Sequence, residues 1–464
     1  MKNFDLSIIG NGVIGTLAAI KIKKKYPKLK IALIGNINRF SSASVAAGAM
    51  ANVYAEIENG PDRNANEARY LEIGLKGRDG WKKFFNEFNL NKKIITCNDT
   101  IVFLKSSASD FERSNFDSME RTAKSDNVCE MVNSRLIKET FFSPNISVEK
   151  ALKLLGEFSI CTISLFNELD LLLKKLNIYN IFQDVTKVNE NHNHLNIELS
   201  NKDVLSSKRI IVAAGAMSSS IFSPKYKILP MLQGVGTAIV INNKSQLPSA
   251  YNKYVIRTVN RGGAQCGLHT VPRSDGTLYL GAGNYIARPG KAFHRLETIK
   301  YLFSMFENEM VGKSVSYHLL GSLCLGSRPR SFDGFPMIGA HSKDERIYFA
   351  TGTNRVGLTW APRIAEDILD WMSSKNQSNL FDGWNPDRDP ISFGTEEHCI
   401  DYFRNSRISA AFEHGMLNPK NKKECNIKNS EFILIAKDFI KKIKKKYKTK
   451  DNMYINPDNW NALL

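Results

Sequence analysis

Residues 4–34, FDLSIIGNGVIGTLAAIKIKKKYPKLKIALI, hold the pattern from which the fold of this chain is read. Phe4 to Ile9 is a short apolar run, and Gly10-Asn11-Gly12-Val13-Ile14-Gly15 follows it at once. Thr16 to Tyr26 is helix-like, and Lys30 to Ile34 is a second apolar run. The spacing predicts strand, glycine turn, helix, strand. In that order Gly10 permits a tight turn, Gly12 admits a pyrophosphate to the backbone, and Gly15 lets the helix pack on the strand. The helix N-terminus, with Val13 and Ile14 on its first turn, then faces the phosphate charge. The competing reading is a loop that needs three glycines for steric reasons alone. One part of the dinucleotide fingerprint is missing: an acidic residue is expected after the second strand for the ribose hydroxyls, and Gly35-Asn36 stands there. The Asn36 amide, or backbone alone, has to take that role.

A chain of 464 residues, 42% of them hydrophobic, can bury a sizeable core and predicts two or three domains. No apolar stretch reaches the ~18 residues that span a bilayer. Leu6 to Ile20 is apolar enough to resemble a secretory segment, but its glycines favour strand plus helix. Seven scattered cysteines without a CxxC pair predict reduced thiols in a cytoplasmic protein. His192 and His194 fall in a polar stretch that reads as a hairpin loop, and no metal site is predicted. The net charge of +18 suggests attraction to nucleotide phosphates, nucleic acid or an acidic membrane. Because lysine is spread along a chain also rich in Asn and Ile, charge alone decides nothing.

Beyond the second strand, residues 39–52 (RFSSASVAAGAMAN) are dense in small side chains, which allow close approach to a flat ligand. Glu67 to Leu90 has helical spacing weakened by Gly74, Gly77 and Gly80, and reads as two helices or one bent one. Ile94 to Leu104 reads as a strand entering a second domain. Ala151 to Leu176 reads as helix, and Ile178 to Val188, Leu195 to Leu199 and Arg209 to Val212 as strands. Residues 221–320 are β-rich, with strands at Gly236–Ile241, Tyr254–Val259, Gly267–Val271 and Thr277–Gly281 and turns at Arg261-Gly262-Gly263 and Ser274-Asp275-Gly276.

Four motifs in order carry a family resemblance. Ala43-Ser44 through Gly48-Ala49-Met50, His269-Thr270-Val271-Pro272-Arg273 with Asp275-Gly276, Gly326 to Gly339 (GSRPRSFDGFPMIG) and Tyr348 to Pro362 (YFATGTNRVGLTWAP) follow the opening GxGxxG. The sequence resembles the glycine oxidase and D-amino-acid oxidase group of FAD-dependent amine oxidases, with the glycine oxidases of the thiamine pathway nearest. The resemblance implies an α/β protein with a Rossmann-like FAD-binding domain, a mixed β-sheet substrate domain and a C-terminal helical extension. It places the FAD domain in residues 1–90, 151–222 and 321–376, the substrate domain in 91–150 and 223–320, and the extension in 377–464. It also implies that Gly10, Gly12, Val13, Ile14, Gly15, Gly35, Asn36, Ala43, Ser44, Gly48, Ala49, Met50, Val185, Gly215 and the loop Gly352-Thr353-Asn354-Arg355-Val356-Gly357-Leu358-Thr359 bind FAD. Val185 would meet the adenine through its backbone, or be a core strand residue.

Substrate-binding roles implied by the resemblance fall on Arg328, Arg355 and His269, with no catalytic residue assigned. A planar, always charged guanidinium suits bidentate binding of a carboxylate. His269 stands where the family usually has a substrate-facing tyrosine, and an imidazole can titrate near neutral pH. The loop 352–359 opens a predicted helix whose N-terminus would stabilise negative charge on reduced flavin. Cys324 lies about two positions off the pattern by which sarcosine oxidase relatives attach flavin covalently, and reads as a buried thiol. The expected reaction oxidises a small amino acid or secondary amine, giving an imine, then an oxo acid, with oxygen as acceptor and hydrogen peroxide as product. Two alternatives stay open: an amine carried on a tRNA base or protein side chain, and a flavin-binding protein without oxidase activity. Phe432 to Lys448 forms an amphipathic basic helix that offers a surface to an anionic partner. Oligomeric state stays open.

Overall fold

The computed structural model describes all residues except 1, 40–41, 59–64, 91–93, 142–146, 192, 243–246, 262–266, 312–319, 374–378, 414–415 and 419–420. His192 and the Gly262-Gly263 turn therefore lie outside the described residues. Among those described, the strands form two eight-stranded sheets and one two-stranded sheet.

In the first sheet Lys2–Ile9 lies between Val204–Val212 and Ile31–Ile34, parallel to both, and Ile31–Ile34 is parallel to Tyr179–Ile181. Asp344–Thr351 pairs in parallel with Val204–Val212, and Met337–His341 closes that side antiparallel. Side chains alternate between two cores. Ile31 and Leu33 pack with Leu17 and Ile364 of helices Val13–Lys25 and Gly357–Met372, whereas Ala32 and Ile34 pack with Val188 and Ile197. Burial on both faces explains why these strands read as continuous apolar runs. The second face is covered by the hairpin Val185–Glu190 and Leu195–Leu199, whose turn carries His194.

The second sheet is mixed, in the order Leu320–Ser331, Met231–Ile241, Leu278–Ala287, His269–Pro272, Val255–Thr258, Thr100–Lys105, Val148–Leu154, Cys129–Met131. Val255–Thr258 runs parallel to Thr100–Lys105, and the other neighbours are antiparallel. Here the helical reading of Ala151–Leu176 is corrected. Val148–Leu154 is a strand between two others, and only Thr162–Lys175 is helical. The run ALKLL fits either period, and pairing on both edges overrides local preference.

Residues Ala65–Phe88 form one continuous helix despite three glycines. Gly74 faces Val53, and the other two face helix Gly357–Met372: a Cβ on Gly77 would stand 2.3 Å from the Thr359 carbonyl oxygen, and one on Gly80 would stand 2.7 Å from Pro362. Their absence of side chains sets the approach of two helices rather than breaking one. Gly77→Ala is expected to destabilise by about 1–3 kcal/mol, because backbone must move to admit the methyl. A thermal midpoint equal to that of the parent would contradict this packing role.

The C-terminal segment adds helices Glu396–Glu413, Lys422–Tyr447 and Trp460–Leu463. Phe403, Ile440 and Trp460 share a core with Leu232 and Phe332 of the second sheet region. Buried Asp333 ties the segment down, accepting hydrogen bonds from Arg388 at 3.0 Å and from the Ile391 N–H at 3.0 Å. On the long helix Ala436, Ile440 and Ile443 are buried while Lys437, Lys441 and Lys445 face solvent. Among the described residues no helix is long and apolar enough to cross a membrane.

Candidate active site

A cavity of ≈ 730 Å³ runs from the glycine turn across the carboxyl ends of the first sheet to the face of the second. At its origin Gly10 has φ +113°, and a Cβ there would lie 2.2 Å from the Ala213 carbonyl oxygen. A Cβ on Gly15 would lie 1.9 Å from the Gly10 carbonyl oxygen, so the third glycine closes helix against strand. Gly12 precedes the helix, and the Val13 N–H donates to Ser44 Oγ at 3.1 Å. Free N–H groups at the helix start and an open glycine wall fit a pyrophosphate.

At the end of the second strand the turn is built by amides. Asn11 Nδ2 donates to the Asn36 carbonyl at 2.8 Å, and Asn36 Oδ1 accepts from the Asn38 N–H at 3.0 Å. A Cβ on Gly35 would meet Asn11 at 2.5 Å. Arg39 also lines this end, held by Asp170 at 2.6 and 3.0 Å. Val185 lines the cavity beside Gln183, Asp184 and Thr186.

Every cofactor position named from the sequence lines this cavity except Gly15 and Gly352. Ala43, Ser44, Gly48, Ala49 and Met50 form one wall, with Ala43–Ala46 as a single helical turn capped by Ser42. Gly215 lies at the end of Val204–Val212, and Thr353 to Thr359 lead into the helix Gly357–Met372. Gly352 sits behind the loop at φ +73°, where a Cβ would lie 2.9 Å from the Met337 nitrogen. The N-termini of helices Val13–Lys25 and Gly357–Met372 both open onto this cavity, a Cβ on Gly357 lying 4.0 Å from Ile14, a setting that favours negatively charged groups of a ligand. Cys324 is half-buried, is not among the lining residues, and Arg273 approaches its sulfur at 3.7 Å.

Arg328, Arg355 and His269 meet at the other end, together with four residues that the sequence reading did not single out: Arg257, Asn260, Tyr279 and Asn284. Arg257 is buried in a strand that otherwise reads as apolar, and that anomaly was its only signal. It donates to Glu56 at 2.7 Å, Asn52 at 3.1 Å and Asn260 at 2.6 Å. Burial pushes the Glu56 carboxyl up, but Arg257 and Arg355 outweigh it and hold the group at about 2. Arg355 is committed to carboxylates as well, Glu56 at 3.3 Å and Glu58 at 2.5 Å.

Arg328 differs. Its Nη1 donates to the neutral amide oxygen of Asn284 at 2.9 Å, and among the described residues no carboxylate pairs with it. Gly236 makes room for it, since a Cβ there would come within 2.7 Å of the guanidinium. A part-buried guanidinium without a counterion, facing a cavity, is a receptor for an anionic group.

The expectation that His269 titrates near neutral pH is corrected. Burial, reinforced by Arg257, pushes its pKa down to about 3, so the ring is neutral. Its Nδ1 lies 2.9 Å from the Gly267 carbonyl and donates to it, which leaves Nε2 as an acceptor. Gly48 and Gly281 open space before Nε2, where Cβ atoms would lie 3.3 and 2.8 Å away. The linkage has a definite sign: the unfolded ring takes a proton below its ordinary 6.5 that the folded ring refuses until about 3. The stabilising contribution is present above 6.5 and is lost as pH falls through that window. His269→Gln should therefore flatten the fall of thermal midpoint on acidification from neutrality to about pH 4. An unchanged or steeper fall would refute the neutral buried ring.

The family described as FAD dependent oxidoreductase (DAO) matches residues 5–371. No curated protein sequence matches the chain. Among solved structures, glycine oxidase from Geobacillus kaustophilus superposes with TM-score 0.70 at 15% identity, covering 84% of this chain and 100% of that one. L-proline dehydrogenase from P. horikoshii gives 0.64 at 13% identity, covering 83% and 97%. L-alpha-glycerophosphate oxidase from Mycoplasma pneumoniae gives 0.64 at 17%, covering 85% and 100%. At such identities these are likenesses of fold. With the family matched over most of its length and a cavity that fits a dinucleotide, this chain belongs to the DAO family of FAD-dependent oxidoreductases, and FAD is its cofactor.

Proposed function

We propose that the protein oxidises a small amino acid or secondary amine of the glycine, sarcosine or D-amino acid type, giving an imine that water hydrolyses to an oxo acid and ammonia or an amine. The observation that carries this reading is Arg328, the lining arginine that no described carboxylate neutralises. Its planar fork would hold the substrate carboxylate bidentately, so that Cα faces the cavity wall formed by Met50 and Gly48. His269 Nε2 would accept one N–H of the substrate amine, while Glu56, kept ionised by Arg257 and Arg355, would favour a positively charged group nearby. The substrate amine reacts as the neutral base, its lone pair forming the C=N bond as the Cα hydrogen leaves with its electron pair, so neither residue has to remove a Cα proton, and the positive charge that Glu56 would favour is that of the resulting iminium. Bound FAD supplies the two-electron acceptor, which oxygen reoxidises with release of hydrogen peroxide. The residues proposed to hold FAD are those assigned to it from the sequence, Gly15 and Gly352 acting by shaping the backbone. The domain segments are likewise proposed as drawn from the sequence.

The test adds a panel of amines anaerobically to the FAD-loaded protein. The flavin absorbance should bleach with glycine, sarcosine or a small D-amino acid and should stay unchanged with glycerol phosphate. Peroxide should appear when air is admitted. Bleaching by glycerol phosphate alone, or by none of the amines, would overturn the reading.

A further inference from the structure

Between the strand Leu278–Ala287 and the helix Leu296–Phe306 the chain runs as an irregular loop, Arg288-Pro289-Gly290-Lys291-Ala292-Phe293-His294-Arg295. Its side chains divide by direction. His294 turns inward, its Nδ1 3.2 Å from Thr237 Oγ1, and Ala292 is half-buried, whereas Phe293 and Leu296 face solvent. Phe293 is 63% exposed and Leu296 84%, the highest value of any large apolar side chain described. One exposed apolar residue is ordinary on a protein surface. Two of this size, three residues apart on a fixed loop, are a surface that calls for a partner.

The loop is held in place by the strand it leaves. The Tyr285 hydroxyl donates to the Phe293 carbonyl at 3.0 Å, and the Arg295 guanidinium lies 3.8 Å from the centre of the Tyr285 ring. These contacts fix the backbone that turns Phe293 outward.

Charge decides the class of partner. Arg288, Lys291, Arg295 and Lys300 are exposed around the two apolar side chains, none with an ion-pair partner among the described residues, and Glu297 is the only acid between 288 and 300. Ile286, just before the loop, packs against the cluster that holds Ile440 and Ile443, so the lysine-rich helix Lys422–Tyr447 stands beside the strand that feeds the loop. On that helix Lys441 and Lys445 are exposed and likewise make no ion pair among the described residues. Cations around a protruding phenylalanine and leucine match the two layers of an anionic bilayer surface, charged headgroups over acyl chains. A nucleic acid would answer the cations and leave the leucine unused.

We propose that residues 288–300 dock the protein on a membrane surface rich in anionic lipid, with Phe293 and Leu296 entering the acyl boundary and Arg288, Lys291, Arg295 and Lys300 meeting the headgroups. The attachment is peripheral and needs no spanning helix. Gly290 of the same loop lines the flavin chamber, so the chamber and the docking face share one loop. The attachment does not depend on the amine oxidation proposed above.

The experiment is sedimentation of the FAD-loaded protein with vesicles of phosphatidylcholine alone and of equal parts phosphatidylcholine and phosphatidylserine. The mixed vesicles should bind it saturably and about tenfold or more tightly than the neutral ones, and salt should weaken that binding. Lys291→Gln should weaken it about fivefold, and Phe293→Ser about tenfold or more. Flavin absorbance and thermal midpoint should stay at the parent values in both, since both side chains are exposed. In Phe293→Trp the added indole should shift its emission to the blue on the mixed vesicles and be quenched by lipid brominated in the acyl chain. Equal binding to both vesicles, binding to neither, affinity unmoved by Phe293→Ser, or an added indole that stays unquenched would overturn the proposal. So would self-association that Phe293→Ser dissolves in the absence of vesicle binding, which would mark the loop as a contact between two copies of the chain.

Discussion

Arg328→Met is expected to lower kcat/KM for the amino acid substrate by about two to four orders of magnitude while FAD content stays at the parent level. The size follows from two charge-assisted hydrogen bonds to a carboxylate, each worth about 1.5–3 kcal/mol. The specificity follows from the surroundings: the other lining arginines are neutralised, Arg39 by Asp170, Arg257 by Glu56, and Arg355 by Glu56 and Glu58. Removing Arg257 or Arg355 would leave a largely buried carboxylate short of its partner and mix a folding defect into the kinetics. Removing Arg328 takes one hydrogen bond from the neutral Asn284 amide oxygen and leaves no described carboxylate unpaired. Steady-state rates and flavin absorbance on the same preparation check this. A loss confined to flavin content, or no loss of kcat/KM, would show that the guanidinium does not hold the substrate.

Gly10→Ala is expected to yield protein without FAD and with stability reduced by about 2–6 kcal/mol. Two costs add: about 1–3 kcal/mol for a side chain at positive φ, and a similar amount for a methyl forced against packed backbone. The obstructing atom is the Ala213 carbonyl oxygen, 2.2 Å from the added Cβ, and it belongs to the strand end that leads into the cavity wall at Gly215. Relief must therefore come from moving a central strand or the glycine turn, and either closes the phosphate end. Against a total stability of about 5–15 kcal/mol the change is large. Absorbance after purification and a thermal scan measure both parts; a flavin-loaded variant of parental midpoint would disprove the steric role of the turn.

Much of the first sheet was legible because its physics is local. Strands buried on both faces must be apolar throughout, and a glycine between strand and helix has few other uses, so residues 4–34 declare their fold. Where two periods fit one run, local reading failed. Val148–Leu154 became a strand because two neighbours offered hydrogen bonds to both its edges. The three glycines of Ala65–Phe88 looked like breaks, and only the carbonyl of Thr359 lying against Gly77 shows them to be contact points.

The sequence by itself determined that this chain has a dinucleotide cradle at its start and arginine-bearing motifs in its later half, since those depend on residue types at short spacing. Only the tertiary structure decided which arginine is available. Glu56 and Glu58, about three hundred residues away in the chain, fold back onto Arg355 and leave Arg328 facing the cavity with a neutral partner. It likewise decided that His269 is neutral, because burial and the charge of Arg257 outweigh the intrinsic basicity of an imidazole. Charge pairing and desolvation are properties of neighbours in space, and no spacing along a chain encodes them.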